Sequence, residues 1–200
     1  MNCSFRFGRY LYLSKEISSR KMLMLLWYYS LHKLGRHSIE QIHHNVYFCL
    51  FQGFPIDRIR HLVDSFLDLA FEEMFNPPVV QKLREAQQNG HMTAILSSSP
   101  DFLVRAIAER FAVDTWQATE YTTDERGAMN GVAHVVLGSD KATRVLTLAN
   151  KYSIPLQNII GYSDSHHDLP FLQTVGMAVA VKPDNVLKQI SQEHHWEVMQ

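Results

Sequence analysis

Residues 159–170 read Ile-Ile-Gly-Tyr-Ser-Asp-Ser-His-His-Asp-Leu-Pro. Two apolar β-formers lead into Asp164 and Asp168, four residues apart, and then into Leu169-Pro170. The run reads as a buried strand that ends in an acidic loop. In parallel α/β sheets the crevice beyond the carboxyl ends of the strands is where ligands bind, so paired aspartates there point to a hard cation held for phosphate chemistry. Taken alone, the same pair serves equally well as turn and cap former ahead of Leu169-Pro170.

Working outward, Met177 to Val181 is a last apolar strand, Phe171 lies in a short helix between the two strands, and Lys141 to Lys151 is helical. Thr115 to Val136 reads as extended segments around turns at Arg126-Gly127 and Asn130-Gly131, a hairpin pattern. Met92 to Leu96 is a short apolar strand, after which Ser97-Ser98-Ser99-Pro100-Asp101 starts a helix running to about Phe111. Asn76-Pro77 is an N-cap followed by a first-turn proline and opens a helix ending near Gly90. Strands alternating with helices imply a parallel sheet.

The first third differs. Lys21 to Leu34 carries apolar residues on most faces, Ser38 with Gln41 forms a capping-box pattern opening a segment to Phe51, and Gly53 with Pro55 breaks the chain. Ile56, Ile59, Leu62, Val63, Phe66, Leu67, Ala70 and Phe71 then recur at helical spacing. Residues 1–56 hold seven Lys or Arg, only Glu16 and Glu40 as acids, and no aspartate. Such a start fits a targeting segment or a helical subdomain with a basic face; the sustained apolar spacing favours the subdomain.

Composition bounds the rest. With 200 residues, 46% of them hydrophobic, and a formal net charge of -1, the chain fits one ordinary globular unit with a subdomain. Nothing in it calls for nucleic acid or a membrane as partner. Met22 to Tyr29 is far shorter than the roughly 20 apolar residues of a membrane span. Cys3 and Cys49 are too few for a disulfide framework, so a cytoplasmic location is expected.

Three chemical features fall at equivalent places: Ser97 to Ser99 after one strand, Lys141 at the start of a helix, and Asp164 with Asp168 after another strand. Hydroxyls and amides of the serine run could hold a phosphate at a helix N-terminus, although a Ser-Ser-Ser-Pro run alone is more often a plain cap. Lys141 could neutralise phosphate oxygens as a point charge, and Asp164 with Asp168 could share Mg²⁺, which takes one or two carboxylates plus waters and substrate oxygens. His43-His44, His166-His167 and His194-His195 lack the spacing of a closed zinc site.

Ser97-Ser98-Ser99-Pro100-Asp101, Lys141, and the block GYSDSHHDLPFL (161–172), followed by Gly176 and Val181-Lys182-Pro183-Asp184, resemble the second, third and fourth motifs of the haloacid dehalogenase superfamily. Within it the chain is most similar to the phosphoserine-phosphatase-like branch, subclass IB. The resemblance spans essentially the whole chain. It implies an α-helical cap over residues 1–75 and an α/β, Rossmann-like core with a parallel sheet over 76–200. It also implies hydrolysis of a small phosphomonoester with Mg²⁺ by a phosphoaspartyl route. In that scheme Ser97 bonds the transferring phosphoryl group with Ser98 beside it, Lys141 stabilises its charge, Asp164 binds Mg²⁺, and Asp168 orients metal-bound water or Lys141.

The departure from the family pattern lies in the first motif. The family's nucleophile sits in an Asp-x-Asp-x-Thr motif ahead of the cap; this sequence has no Asp-x-Asp pair, and its first aspartate is Asp57. Asn2-Cys3-Ser4-Phe5-Arg6-Phe7 resembles the stretch shortly after that motif. In the family's sheet the strand bearing the motif lies centrally, between those carrying Ser97 and Asp164. Each buried backbone group left unpaired by its loss costs about 1–3 kcal/mol, against a total stability of about 5–15 kcal/mol. A start site placed too late, or a shortened product, is therefore expected over an evolved loss, and the chain as written is expected to be inactive. The rival reading is a non-catalytic protein of the same fold that binds a phosphorylated ligand or a partner through its cap.

Overall fold

The computed structural model describes residues 3–200; Met1 and Asn2, the second belonging to the opening stretch quoted above, lie outside the described residues. The fold is mixed α/β with parallel strand pairs. The chain divides into two compact units, one running through Asn76 together with Leu83–Val136, the other formed by Pro77–Lys82 with Leu137–Gln200.

The first unit begins with helices α1 (Cys3–Leu13), α2 (Ser19–Lys33), α3 (Ile39–Val46) and α4 (Ile56–Met74), a π-helical turn at Tyr47–Phe51 continuing α3. The capping box is present: Gln41 N–H donates to the Ser38 hydroxyl at 3.1 Å and Ser38 N–H to the Gln41 side chain at 2.9 Å. α4 buries Ile59, Leu62, Val63, Phe66 and Leu67, the stripe read from its spacing. After α5 (Pro77–Gln88) come β1 (Ala94–Pro100), α6 (Asp101–Phe111), β2 (Thr115–Thr123) and β3 (Met129–His134). The sheet order is β1-β2-β3, with β1 parallel to β2 and β2 antiparallel to β3. α4 packs on α6, and α6 on both β1 and β2. Phe7, Phe51, Phe66, Phe102 and Tyr121 make the aromatic centre, with Phe102 5.4 Å from both Phe51 and Tyr121 by ring centroids.

The second unit holds α7 (Gly138–Tyr152), β4 (Ile160–Ser163), α8 (Leu169–Leu172), β5 (Met177–Val181), α9 (Asn185–Glu193) and β6 (Glu197–Met199). Its three strands run parallel in the order β4-β5-β6. Val179, Ala180, Leu172 and Leu187 are its most buried apolar residues. β1 thus stands at one end of the first sheet and β4 at one end of the second.

Three local expectations change. Ser97 to Ser99 lie in β1, not in a helix start, and α6 begins at Asp101 behind Pro100, which makes no side-chain cap bond. Asn130-Gly131 is not a turn but part of β3, with Gly131 opposite Thr122. The hairpin closes earlier because the Asp124 carboxylate accepts from the amides of both Arg126 and Ala128 at 2.9 Å, which satisfies the turn without Asn-Gly chemistry. Finally, the polar tail around His194-His195 ends in β6, whose three residues are too few to display an alternation.

Candidate active site

β4 delivers the acidic loop as its apolar lead-in suggests. Gly161 and Ser163 are buried, and a 3₁₀ turn at His166–Asp168 follows directly, capped by the Ser165 hydroxyl. The turn points the Asp168 carboxylate back at α7, where Lys141 lies in the first turn. Lys141 Nζ donates to both Asp168 oxygens, at 2.7 and 2.8 Å, and the Ser163 hydroxyl donates to one of them at 2.7 Å. The two charged side chains are 8% and 14% exposed, so this is a buried ion pair with both carboxylate oxygens hydrogen-bonded.

Asp164 differs. Its side chain is exposed, and no hydrogen bond or ion pair of its carboxylate occurs among the described residues; its backbone carbonyl accepts the Asp184 N–H at 2.9 Å. Asp184 ties the loop down further, since its carboxylate accepts from the His166 backbone at 2.8 Å, contacts the His166 ring nitrogen at 2.9 Å, and caps α9 through Leu187 N–H at 2.9 Å. Burial works against its ionisation, but those amide and imidazole bonds outweigh it and hold the carboxyl down at about 2.

These residues fit a Mg²⁺-type cation. Such an ion asks for one or two carboxylates with waters and ligand oxygens, and Asp164 is the open carboxylate at the end of a parallel strand. Both Asp168 oxygens already accept hydrogen bonds, from Lys141 and Ser163. Among the described residues no group of three or more His, Cys, Asp and Glu side chains converges as a cage.

The serine segment belongs to the first unit. Between Leu96 and Pro100, β1 advances while its partner moves only from Gln117 to Thr119, so Ser97, Ser98 and Ser99 occupy a bulge. The Ser97 hydroxyl accepts the Ser99 N–H at 3.1 Å and keeps its own hydrogen to donate. The Ser98 carbonyl accepts from Thr119 Oγ1 at 2.9 Å. Ser99 is turned inward, where the Ser4 hydroxyl donates to it at 2.9 Å and Cys3 Sγ lies at 3.5 Å. Burial raises the Cys3 thiol above its ordinary value.

His43 of α3 also reaches this segment. Its Nδ1 is 2.9 Å from the Tyr121 hydroxyl, and the ring bonds the Ser98 backbone. A carbonyl only accepts, so the nitrogen facing Ser98 carries the hydrogen and, in the neutral ring, Nδ1 accepts from Tyr121. Burial depresses the His43 imidazole to about 4.

Sequence reading brought Lys141 and Asp168 to the same chemistry, and they meet. It missed Ser163, which lies inside the quoted block, Asp184, whose place before Asn185 is an N-cap signal, and the His43–Tyr121 pair, which only the tertiary fold brings together.

Over residues 3–173 the sequence matches the pattern of the haloacid dehalogenase-like hydrolases. The chain belongs to this family. Among curated proteins it is similar to a phosphoserine phosphatase of Mycobacterium tuberculosis, 30% identical over 137 residues that cover 64% of this chain and 44% of the relative. It is also similar to a histidinol-phosphatase of Neisseria meningitidis, 30% identical over 118 residues, covering 56% of this chain and 53% of that protein. The chain thus spans about half the length of the curated relatives it matches. In three dimensions it resembles a Bordetella pertussis protein of unknown function, with TM-score 0.85, 18% identity, and coverage of 100% of this chain and 92% of that one. A substrate-bound phosphoserine phosphatase gives TM-score 0.68 at 14% identity, over 97% and 83% of the two chains. These two likenesses show a shared fold. No helix of the described residues is long and apolar enough to cross a membrane.

Proposed function

We propose that this chain carries the phosphate- and cation-binding part of a hydrolase for a small phosphomonoester, with residues 1–75 as cap, 76–200 as core, and the cytoplasm as its compartment. The observation that carries the reading is the buried Lys141–Asp168–Ser163 constellation beside the open Asp164 carboxylate at the end of a parallel strand. Mg²⁺, when bound, would neutralise phosphoryl oxygens and polarise the phosphorus toward attack. Asp164 would hold the cation. Asp168 holds the Lys141 ammonium in place through two hydrogen bonds, and Lys141 would bind the phosphoryl oxygens as a fixed point charge. In the first unit, the Ser97 hydroxyl keeps a hydrogen that a phosphoryl oxygen would accept, with Ser98 beside it in the β1 bulge. Catalysis of this kind rests on positioning and charge neutralisation more than on proton transfer.

The 200 residues contain no Asp-x-Asp pair to supply the attacking carboxylate. They are therefore expected to bind inorganic phosphate with Mg²⁺ but not to turn over p-nitrophenyl phosphate. Calorimetry on the chain and on Lys141→Ala tests the binding: loss of phosphate affinity in the variant is expected, and no phosphate binding by either protein sinks the reading. Adding an N-terminal segment with Asp-x-Asp-x-Thr should bring turnover. Turnover by the 200 residues alone, abolished by Asp164→Ala, would show that the nucleophile has been wrongly assigned.

A further inference from the structure

α2 is the anomaly of the helical segment. It starts firmly, with Ser18 accepting the Lys21 N–H at 3.4 Å, and ends with Gly35 in the left-handed region and Arg36 N–H bonded to the Leu31 carbonyl at 2.9 Å. Yet none of its fifteen residues is buried. A helix that is apolar all round normally lies inside a core or a membrane. Met22, Leu25, Tyr28 and Leu31 are half-covered, Leu25 coming close to Gly8 of α1.

Opposite them Leu23, Leu26, Trp27 and Leu34 recur at spacings of three, four and seven residues and are 67%, 40%, 63% and 70% exposed. These side chains form one ridge, interrupted only by Ser30. Arg20 lies one turn before Leu23, and Lys33 two turns after Leu26, so exposed cations stand at both ends of the same ridge. Lys15, Lys21 and Arg36 are exposed as well, while of the two acids in residues 1–56 Glu16 is engaged by Arg58 at 2.6 Å.

We propose that this outer face of α2 docks on an anionic lipid surface. The charge distribution selects that occupant. A second copy packed across the ridge, parallel or antiparallel, would set Arg20 or Lys33 against another cation in either orientation, with no acid on the ridge to offset it. An anionic bilayer meets both ends at once. Fifteen residues make a helix of about 22 Å, too short to span but suited to lie in the interface plane, with Trp27 at headgroup depth and the leucines in the acyl boundary. Composition gave no hint of this partner, because it counts apolar residues without saying which the fold leaves uncovered.

Sedimentation of the 200-residue chain with vesicles tests the proposal. Binding is expected to 1:1 phosphatidylcholine–phosphatidylglycerol vesicles and not to phosphatidylcholine alone, and to weaken with added salt. Replacing the ridge (Leu23→Gln, Leu26→Gln, Trp27→Gln) should weaken partitioning about ten-fold or more. Replacing only the two cations (Arg20→Gln, Lys33→Gln) leaves every apolar contact in place and should weaken it by a similar factor. No partitioning, or equal partitioning to both vesicles, overturns the proposal. So does a concentration-dependent dimer that the ridge variant abolishes, which would assign the face to a second copy.

Discussion

The Asp168 carboxylate takes both of its contacts with Lys141 Nζ below 2.9 Å and a third bond from Ser163, all of it largely shielded from water. The arrangement is two-sided: removing either charge leaves the other buried without compensation. Asp168→Ala is expected to lower the unfolding free energy by about 3–5 kcal/mol, read by urea denaturation, whereas the double variant Lys141→Met, Asp168→Leu should recover much of that loss. Equal losses in the single and the double variant would mean that the pair is not coupled.

Gly138 opens α7 against the acidic turn. A methyl group on it would overlap the His167 carbonyl oxygen, a backbone atom that cannot step aside without moving the turn. Gly138→Ala should therefore displace Asp168 from Lys141 and destabilise the fold by about 1–3 kcal/mol. The decisive measurement is amide exchange: faster exchange at Ser165 to Leu169 is expected, and unchanged exchange there would rule the clash out.

Much of this site was legible because its signals are local. Asp164 and Asp168 fall just beyond one strand end, and Lys141 sits in the first turn of a helix whose periodicity is plain, whereas Ser163, at that same strand end, was missed. What could not be read depended on distant residues. The Ser97–Ser99 bulge is a shift in the register of β1 against β2, and His43 reaches Tyr121 across 78 positions of sequence. The uncovered face of α2 was hidden for the opposite reason: apolar residues on most faces look the same in sequence whether the fold buries them or not.

His43 gives the protein a specific acid sensitivity. The imidazole titrates at an ordinary 6.5 in the unfolded chain and at about 4 when buried against Tyr121 and Ser98, so the unfolded state binds more protons between those values. The resulting stability is present in full above pH 6.5 and is lost as the pH falls from 6.5 to 4, by up to about 3 kcal/mol. His43→Gln keeps a donor for Ser98 and an acceptor for Tyr121 but does not titrate. The urea midpoint of the wild type should therefore fall more steeply than that of His43→Gln between pH 7 and 4.5; parallel profiles would place the protonation elsewhere.

Asp184 joins the acidic loop to the last helix, and its two roles can be separated. One oxygen caps α9 through Leu187 N–H, while the other holds the His166 amide, and its own N–H holds the Asp164 carbonyl. Loss of the cap alone costs about 0.5–2 kcal/mol, and groups that orient a ligand-bearing loop are worth about 10–100-fold in metal affinity. Asp184→Ala removes both carboxylate functions but leaves the backbone bond to Asp164. Its unfolding free energy should fall by about 1 kcal/mol and its Mn²⁺ affinity, measured by calorimetry at pH 7, by about ten-fold. Asp184→Ser can still cap α9 but is too short to reach the His166 amide. It should regain the stability without regaining the affinity. If Asp184→Ser restores both together, the loop is held by α9 as a whole, and Asp184 is a cap and nothing more.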